Sequence, residues 1–143
     1  MPTRNANASW KGGLKSGTGS VKTETANLDG QYHFNSRFGD DQKGTNPEEL
    51  IGAAHAACYS MALSAGLEGE GYTPDYVNTE ANVTEDQVDD GFAITNIHLT
   101  TRAKVSQIDK QKFLEHAETA KNNCPVSKAL AGAKITLDAE LDA

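Results

Sequence analysis

Aromatic residues are scarce in this 143-residue chain, at 6%, with a single tryptophan. The core must therefore be built from many small contacts, and alanine and glycine are frequent enough to make them. Positive charge is also in deficit. Thirteen lysines and arginines against twenty aspartates and glutamates leave a formal net charge of −7. That balance argues against nucleic acid and anionic membrane surfaces, both of which call for basic patches. No apolar run approaches the roughly 18 residues of a spanning helix. The start, Met1-Pro2-Thr3-Arg4-Asn5-Ala6-Asn7, lacks the apolar core of a signal peptide. One cytoplasmic domain over residues 1–143, off the membrane, is the expectation.

Cysteine is rare too. Cys58 and Cys124 are the only two, 66 residues apart (124 − 58). That spacing excludes a Cys-x-x-Cys redox motif and a zinc-finger pattern. Three readings stay open from the residues alone: an ordinary buried pair, part of a metal site, or a redox couple.

What the sequence does have is one well-marked helix, opening at Thr45-Asn46-Pro47-Glu48-Glu49. Asn46 is a capping residue, Pro47 suits the first helical position, and the glutamates suit the positive end of the dipole. Leu50, Ala54, Ala57, Cys58, Met61, Ala62 and Ala65 follow at helical spacing, which predicts a low apolar face with Cys58 on the buried side. Glycines 66 and 69 should end the helix.

Before it, residues 5–12 and 21–25 read as strands. Asp29-Gly30 is a hairpin signal, and Tyr32–Phe38 alternates as a further strand. After it, residues 76–84 and 93–101 alternate as strands joined through Asp89-Asp90-Gly91, with a bulge near Ile94. Asp109 caps a helix bearing Phe113, Leu114, Ala117 and Ala120. Pro125 starts a short helix, and residues 135–141 form a last strand. The class is α+β.

A thiol does redox work as thiolate, so Cys58 needs a lowered pKa. Its own helix start lies about 18 Å away along the axis, too far for the dipole to act. A cation is required, and Arg37 is the best candidate because guanidinium is permanently charged. Cys124, beside Pro125 at a helix start, reads as the outer and more mobile thiol. His55 stands one turn before Cys58, where it can pair in the core or contribute to a metal site; with no further ligand nearby, no metal is expected. Phe38, Tyr59 and Met61 are candidates for an apolar substrate pocket, although such residues are more often plain core.

The segments Gly44–Cys58 and Asn123-Cys124-Pro125-Val126-Ser127 resemble the two signature segments of the OsmC/Ohr family, the osmotically inducible and organic hydroperoxide resistance proteins. Gly91–Thr95 and Ile135–Asp138 resemble the OsmC branch, so the likeness covers nearly the whole chain. It implies an OsmC-like fold, with antiparallel sheets wrapped around a long central helix in an intertwined homodimer. It implies a thiol-dependent peroxidase for organic hydroperoxides and, less efficiently, hydrogen peroxide, with a role in oxidative and osmotic stress. On that likeness Cys58 attacks the peroxide and becomes a sulfenic acid, and Cys124 resolves it to a disulfide. An external dithiol or lipoyl-type reductant reopens the disulfide, and no cofactor takes part. The family's arginine and glutamate map onto Arg37 and Glu48.

Glu48 and Cys58 are ten residues apart on one helix, roughly 15 Å along its axis. They cannot share a site within one chain. A second copy must deliver Glu48, with Arg37 oriented by a bidentate pair, so a homodimer with interfacial sites is expected. The competing class is a non-catalytic redox sensor or small-ligand-binding module on the same fold.

Overall fold

The computed structural model describes all 143 residues. The chain divides into two compact units, Met1–Leu50 and Ile51–Ala143.

In the first unit, β1 (Ala6–Lys11), β2 (Thr18–Thr23) and β3 (Asp29–Tyr32) make an antiparallel sheet with β2 in the middle. The register sets Gly19 of β2 between Trp10 and Tyr32. Those two rings meet with centroids 5.4 Å apart. A Cβ at Gly19 would stand 2.6 Å from the Tyr32 ring and 2.7 Å from that of Trp10. Only glycine lets the rings close over the central strand. Asp29-Gly30 lies within β3 and is not its turn; residues 24–28 turn the chain, closed by the Thr23 N–H donating to the Leu28 carbonyl at 2.9 Å.

Residues 32–38 correct the reading of a strand. β3 stops at Tyr32, and Phe34–Phe38 is a short helix, α1. Over so few residues an aromatic at every fourth place satisfies both a period of two and a helical turn. The hydroxyl of Ser36 decides between them. It accepts the His33 N–H at 2.9 Å and donates to the Thr45 carbonyl at 2.8 Å. Phe34 and Phe38 then meet along one side of α1, their tilted rings 5.2 Å apart.

Asn46 caps α2 (Pro47–Gly69) as expected, its Oδ1 accepting the Glu49 N–H at 2.7 Å. Its Nδ2 donates to the Ser36 carbonyl at 3.0 Å, which ties α1 to the start of α2.

From Ile51 onward α2 belongs to the second unit, and here the structure reverses an expectation. The buried side of α2 is Gly52, His55, Tyr59, Leu63 and Leu67. Ala54, Ala57, Met61 and Ala65 are exposed, and Cys58 is half-buried between the two sides. With alanines all round the helix, the larger apolar area of Tyr59 and the two leucines decides which side turns inward. They join Ile97, Leu99 and Phe113 in the core. At 23 residues, with a window of mean hydropathy 1.3, α2 is also long and apolar enough to cross a membrane by length and composition alone. Unbroken apolar runs do not reveal this, and the core helix of a soluble protein meets the same criteria.

The second sheet contains β4 (Pro74–Val88), β5 (Gly91–Val105) and β6 (Lys134–Asp142), with β5 central. Asp89 and Asp90 make the two-residue β4–β5 connection. Thr84 faces Asn96 and Glu85 faces Ile94, which leaves Thr95 as the bulged residue. β6 corrects the picture of purely antiparallel sheets, because it pairs parallel to β5, from Asn96↔Lys134 to Lys104↔Asp142. A parallel neighbour requires a crossover. The connection is supplied by α3 (Lys110–Asn123) and α4 (Pro125–Ala129). Asp109 caps α3, accepting the Lys112 N–H at 2.8 Å, and Phe113, Ala117 and Ala120 face the core while Leu114 stays exposed.

Candidate functional site

The predicted site residues form two pairs, one in each unit. In the first, Arg37 comes from the last turn of α1 and Glu48 from the first turn of α2. Arg37 Nε donates to Glu48 Oε1 at 3.0 Å and Nη2 to Oε2 at 2.9 Å. This is a bidentate fork, and it holds the guanidinium plane in a fixed direction. Glu48 is the better buried partner, its side chain 13% exposed against 36% for Arg37. The guanidinium also lies over the Phe38 ring, 5.1 Å from its centroid. Phe38 and Arg37 line a cavity of about 240 Å³ with Trp10, Leu14, Tyr32 and Phe34.

In the second unit, α2 supplies Cys58 and the α3–α4 junction supplies Cys124. Both are free thiols, and they lie near enough for each to act on the other's acidity. Their exposure is the reverse of the expectation. Cys124 is wholly buried and Cys58 half-buried. The reason is local: Cys124 ends α3 and begins α4, its N–H donating to the Ala120 carbonyl at 2.9 Å while its carbonyl accepts the Lys128 N–H at 3.1 Å. A residue held from both sides has little freedom to swing outward.

The acidities follow these surroundings. Burial pushes the Cys58 thiol up, the neighbouring Cys124 thiol adds to this, and the Val126 N–H opposes both. Burial would raise Cys124 as well. The neighbouring Cys58 thiol and the donor groups of Ser127 and Val126 outweigh it, so Cys124 falls below the ordinary cysteine value. Within one chain the negative charge is therefore better held on Cys124 than on Cys58.

Tyr59 is a core residue with its hydroxyl donating to the Ala117 carbonyl at 2.9 Å. Met61, 75% exposed, stands on the outer side of α2. Ser127 was missed. The available signal was its place three residues after Cys124 in the first turn of α4, where a hydroxyl meets the preceding residues. His55 is wholly buried, its Nε2 2.7 Å from Ser127 Oγ and its Nδ1 without a partner in the chain. No group of three or more metal-ligating side chains is present.

Burial holds His55 below its ordinary pKa of 6.5. The unfolded chain then binds more protons than the folded one as the pH falls toward that value. The stability from a neutral His55 is complete above about pH 6.5 and is lost on acidification below it. Urea unfolding of the wild type and His55→Gln from about pH 5 to 8 should show the difference, the wild type losing up to about 1.4 kcal/mol more per pH unit on the acid side. Parallel curves would contradict the assignment.

A half-buried thiol beside a buried one, in an α+β chain of two three-stranded sheets, defines a dithiol protein. The chain belongs to the OsmC family, whose OsmC-like protein profile matches residues 39–140. It is 53% identical over 135 residues to the Escherichia coli protein named peroxiredoxin OsmC, covering 94% of this chain and 93% of that one. Organic hydroperoxide resistance protein OhrB of Bacillus subtilis is 32% identical over 94 residues, 65% of this chain and 67% of that one. The crystal structure of B. subtilis OhrB superposes with a TM-score of 0.69 at 27% identity, covering 96% and 98% of the two chains.

Proposed function

We propose that this protein is a thiol-dependent peroxidase that reduces organic hydroperoxides and, less efficiently, hydrogen peroxide. The observation that carries the reading is the pairing of Cys58 with Cys124, two sulfurs from distant parts of the sequence brought close enough for each to shift the other's acidity. The names of the relatives, a peroxiredoxin and an organic hydroperoxide resistance protein, support the same class of chemistry.

In the proposed reaction the Cys58 thiolate attacks the outer peroxide oxygen. The O–O bond breaks, the alkoxide leaves and takes a proton as the alcohol, and Cys58 becomes a sulfenic acid. The Cys124 thiolate then attacks the Cys58 sulfur and expels hydroxide, which is protonated to water as the disulfide forms. A dithiol or lipoyl-type reductant restores both thiols by exchange. One hydroperoxide and two thiols give one alcohol, one water and one disulfide. No cofactor or metal takes part.

Cys58 is a poor thiolate in one chain, which calls for an outside cation. The spacing of Glu48 and Cys58 along α2 means the Arg37–Glu48 fork must come from a second copy. We infer a homodimer in which the exposed Ala54, Ala57, Met61 and Ala65 side of α2 meets its counterpart. The cavity beside Arg37 and Phe38 would receive the alkyl part of the peroxide. The two free cysteines fit a reducing compartment such as the cytoplasm.

Consumption of cumene and tert-butyl hydroperoxides against hydrogen peroxide, with dithiothreitol and dihydrolipoamide as reductants, tests the reading. Many turnovers per chain, faster with the alkyl peroxides, are expected. The enclosed position of Cys124 favours one alternative, a redox sensor whose disulfide is slow to be reduced. Oxidation that stops at one peroxide per chain would replace the enzyme reading with that one.

A further inference from the structure

The chain has one tryptophan, four tyrosines and four phenylalanines, and four of these nine aromatic residues line a single cavity. Trp10, Tyr32, Phe34 and Phe38 border a space of about 240 Å³ in the first unit, and none of the four is buried. In a chain so short of aromatic area, this much of it faces a cavity and not the core.

Two glycines hold the Trp10–Tyr32 wall in place. The Trp10 indole lies across Gly17 and Gly19, both buried. A Cβ on Gly17 would meet Trp10 Nε1 at 2.8 Å, and one on Gly19 would meet Trp10 Cε3 at 2.7 Å. The missing side chains let the indole rest on backbone and let Tyr32 close beside it. The Trp10 and Tyr32 rings are then tilted by 46°, and those of Phe34 and Phe38 by 49°. Tilted pairs present ring edges and ring faces together, and a further aromatic ring packs against both.

Size and charge narrow the occupant. A cavity of roughly 150 Å³ holds a benzene ring, so 240 Å³ admits one ring with a few further carbons. An aromatic box can also take a cation. Here cations are already in place, Lys15 Nζ 6.0 Å from the Phe34 centroid and the Arg37 guanidinium 5.1 Å from that of Phe38. A third would be repelled. The polar side chains of the lining, His33 and Arg37, are engaged by the carboxylates of Asp41 and Glu48. Ring packing is left to decide what fits.

We propose that this cavity is an aryl subsite, that Tyr32 and Phe34 are specificity-determining residues beside Trp10, and that it selects compact arylalkyl hydroperoxides over straight-chain ones. The hydroperoxide part rests on the peroxidase reading above. The preference for a ring belongs to the cavity itself and does not.

Trp10 is the only tryptophan, so its emission reports the cavity directly. The full chain is titrated with 2-phenyl-2-propanol, the alcohol that cumene hydroperoxide leaves, and with the straight-chain alcohol of equal carbon number. The straight chain is the more hydrophobic of the two, so transfer out of water alone favours it. The aryl alcohol should nonetheless saturate the Trp10 signal at about tenfold lower concentration, the worth of a ring pair or two. Tyr32→Leu and Phe34→Leu keep the lining apolar and remove one ring each. Each should cut the preference severalfold. Equal affinity for the two alcohols in the wild type, no response of Trp10 to either, or a preference unchanged in both variants would overturn the proposal. Aryl binding without peroxide turnover would sink only the peroxidase reading, and turnover without aryl preference only the subsite.

Discussion

Cys58→Ser protein should consume no alkyl hydroperoxide above background, a loss on the order of 1,000-fold or more in turnover. The size follows from the chemistry. A serine hydroxyl is a far weaker nucleophile toward a peroxide oxygen, and it has no accessible sulfenic state. Cys124→Ser should behave differently. The first attack survives, one equivalent of alcohol appears, and Cys58 sulfenic acid accumulates where a disulfide would form. A sulfenic-acid probe with mass spectrometry distinguishes the two variants. Equal inactivity of both, with no trapped sulfenic acid in Cys124→Ser, would contradict the division of labour between the sulfurs.

Ala57→Glu should abolish activity without touching either cysteine. Ala57 is exposed on α2 and glutamate is nearly as good a helix former, so the isolated chain should keep its fold. If this side of the helix meets its copy, the change buries a carboxylate against an apolar surface. An unpaired buried charge costs several kcal/mol, which weakens the dimer on the order of 100-fold or more. Sedimentation should show monomers at micromolar concentration, and turnover should fall with the loss of the partner's Arg37–Glu48 fork. A variant that stays dimeric and active would place the interface elsewhere.

The sequence was most informative where one residue dictates a local geometry. Asn46-Pro47 and Asp109 set helix starts through backbone donors that need a partner, and Asp89-Asp90 set a tight connection. The Arg37–Glu48 pairing came from the family likeness, and it stands in the chain as a fork. Where several residues compete, the pattern misled. The spacing of Ala54, Ala57, Met61 and Ala65 pointed to one face of α2, and the size of Tyr59, Leu63 and Leu67 turned the other inward. The helix at Phe34–Phe38 turned on the Ser36 hydroxyl and its bond to Thr45, a contact nine residues away. Cys124 was read as outer because polar residues precede it. Its burial depends on holding by two helices, which no window along the chain contains.

The parallel placement of β6 has a kinetic consequence. That strand can join β5 only after the chain has travelled back along the sheet, and the segment making the journey carries Cys124. Long-range closures of this kind are slow steps in folding. The sulfur pair should therefore form late, together with the docking of the last strand. A nascent or partly unfolded chain would carry two separate, ordinary thiols, and redox competence would mark a finished molecule.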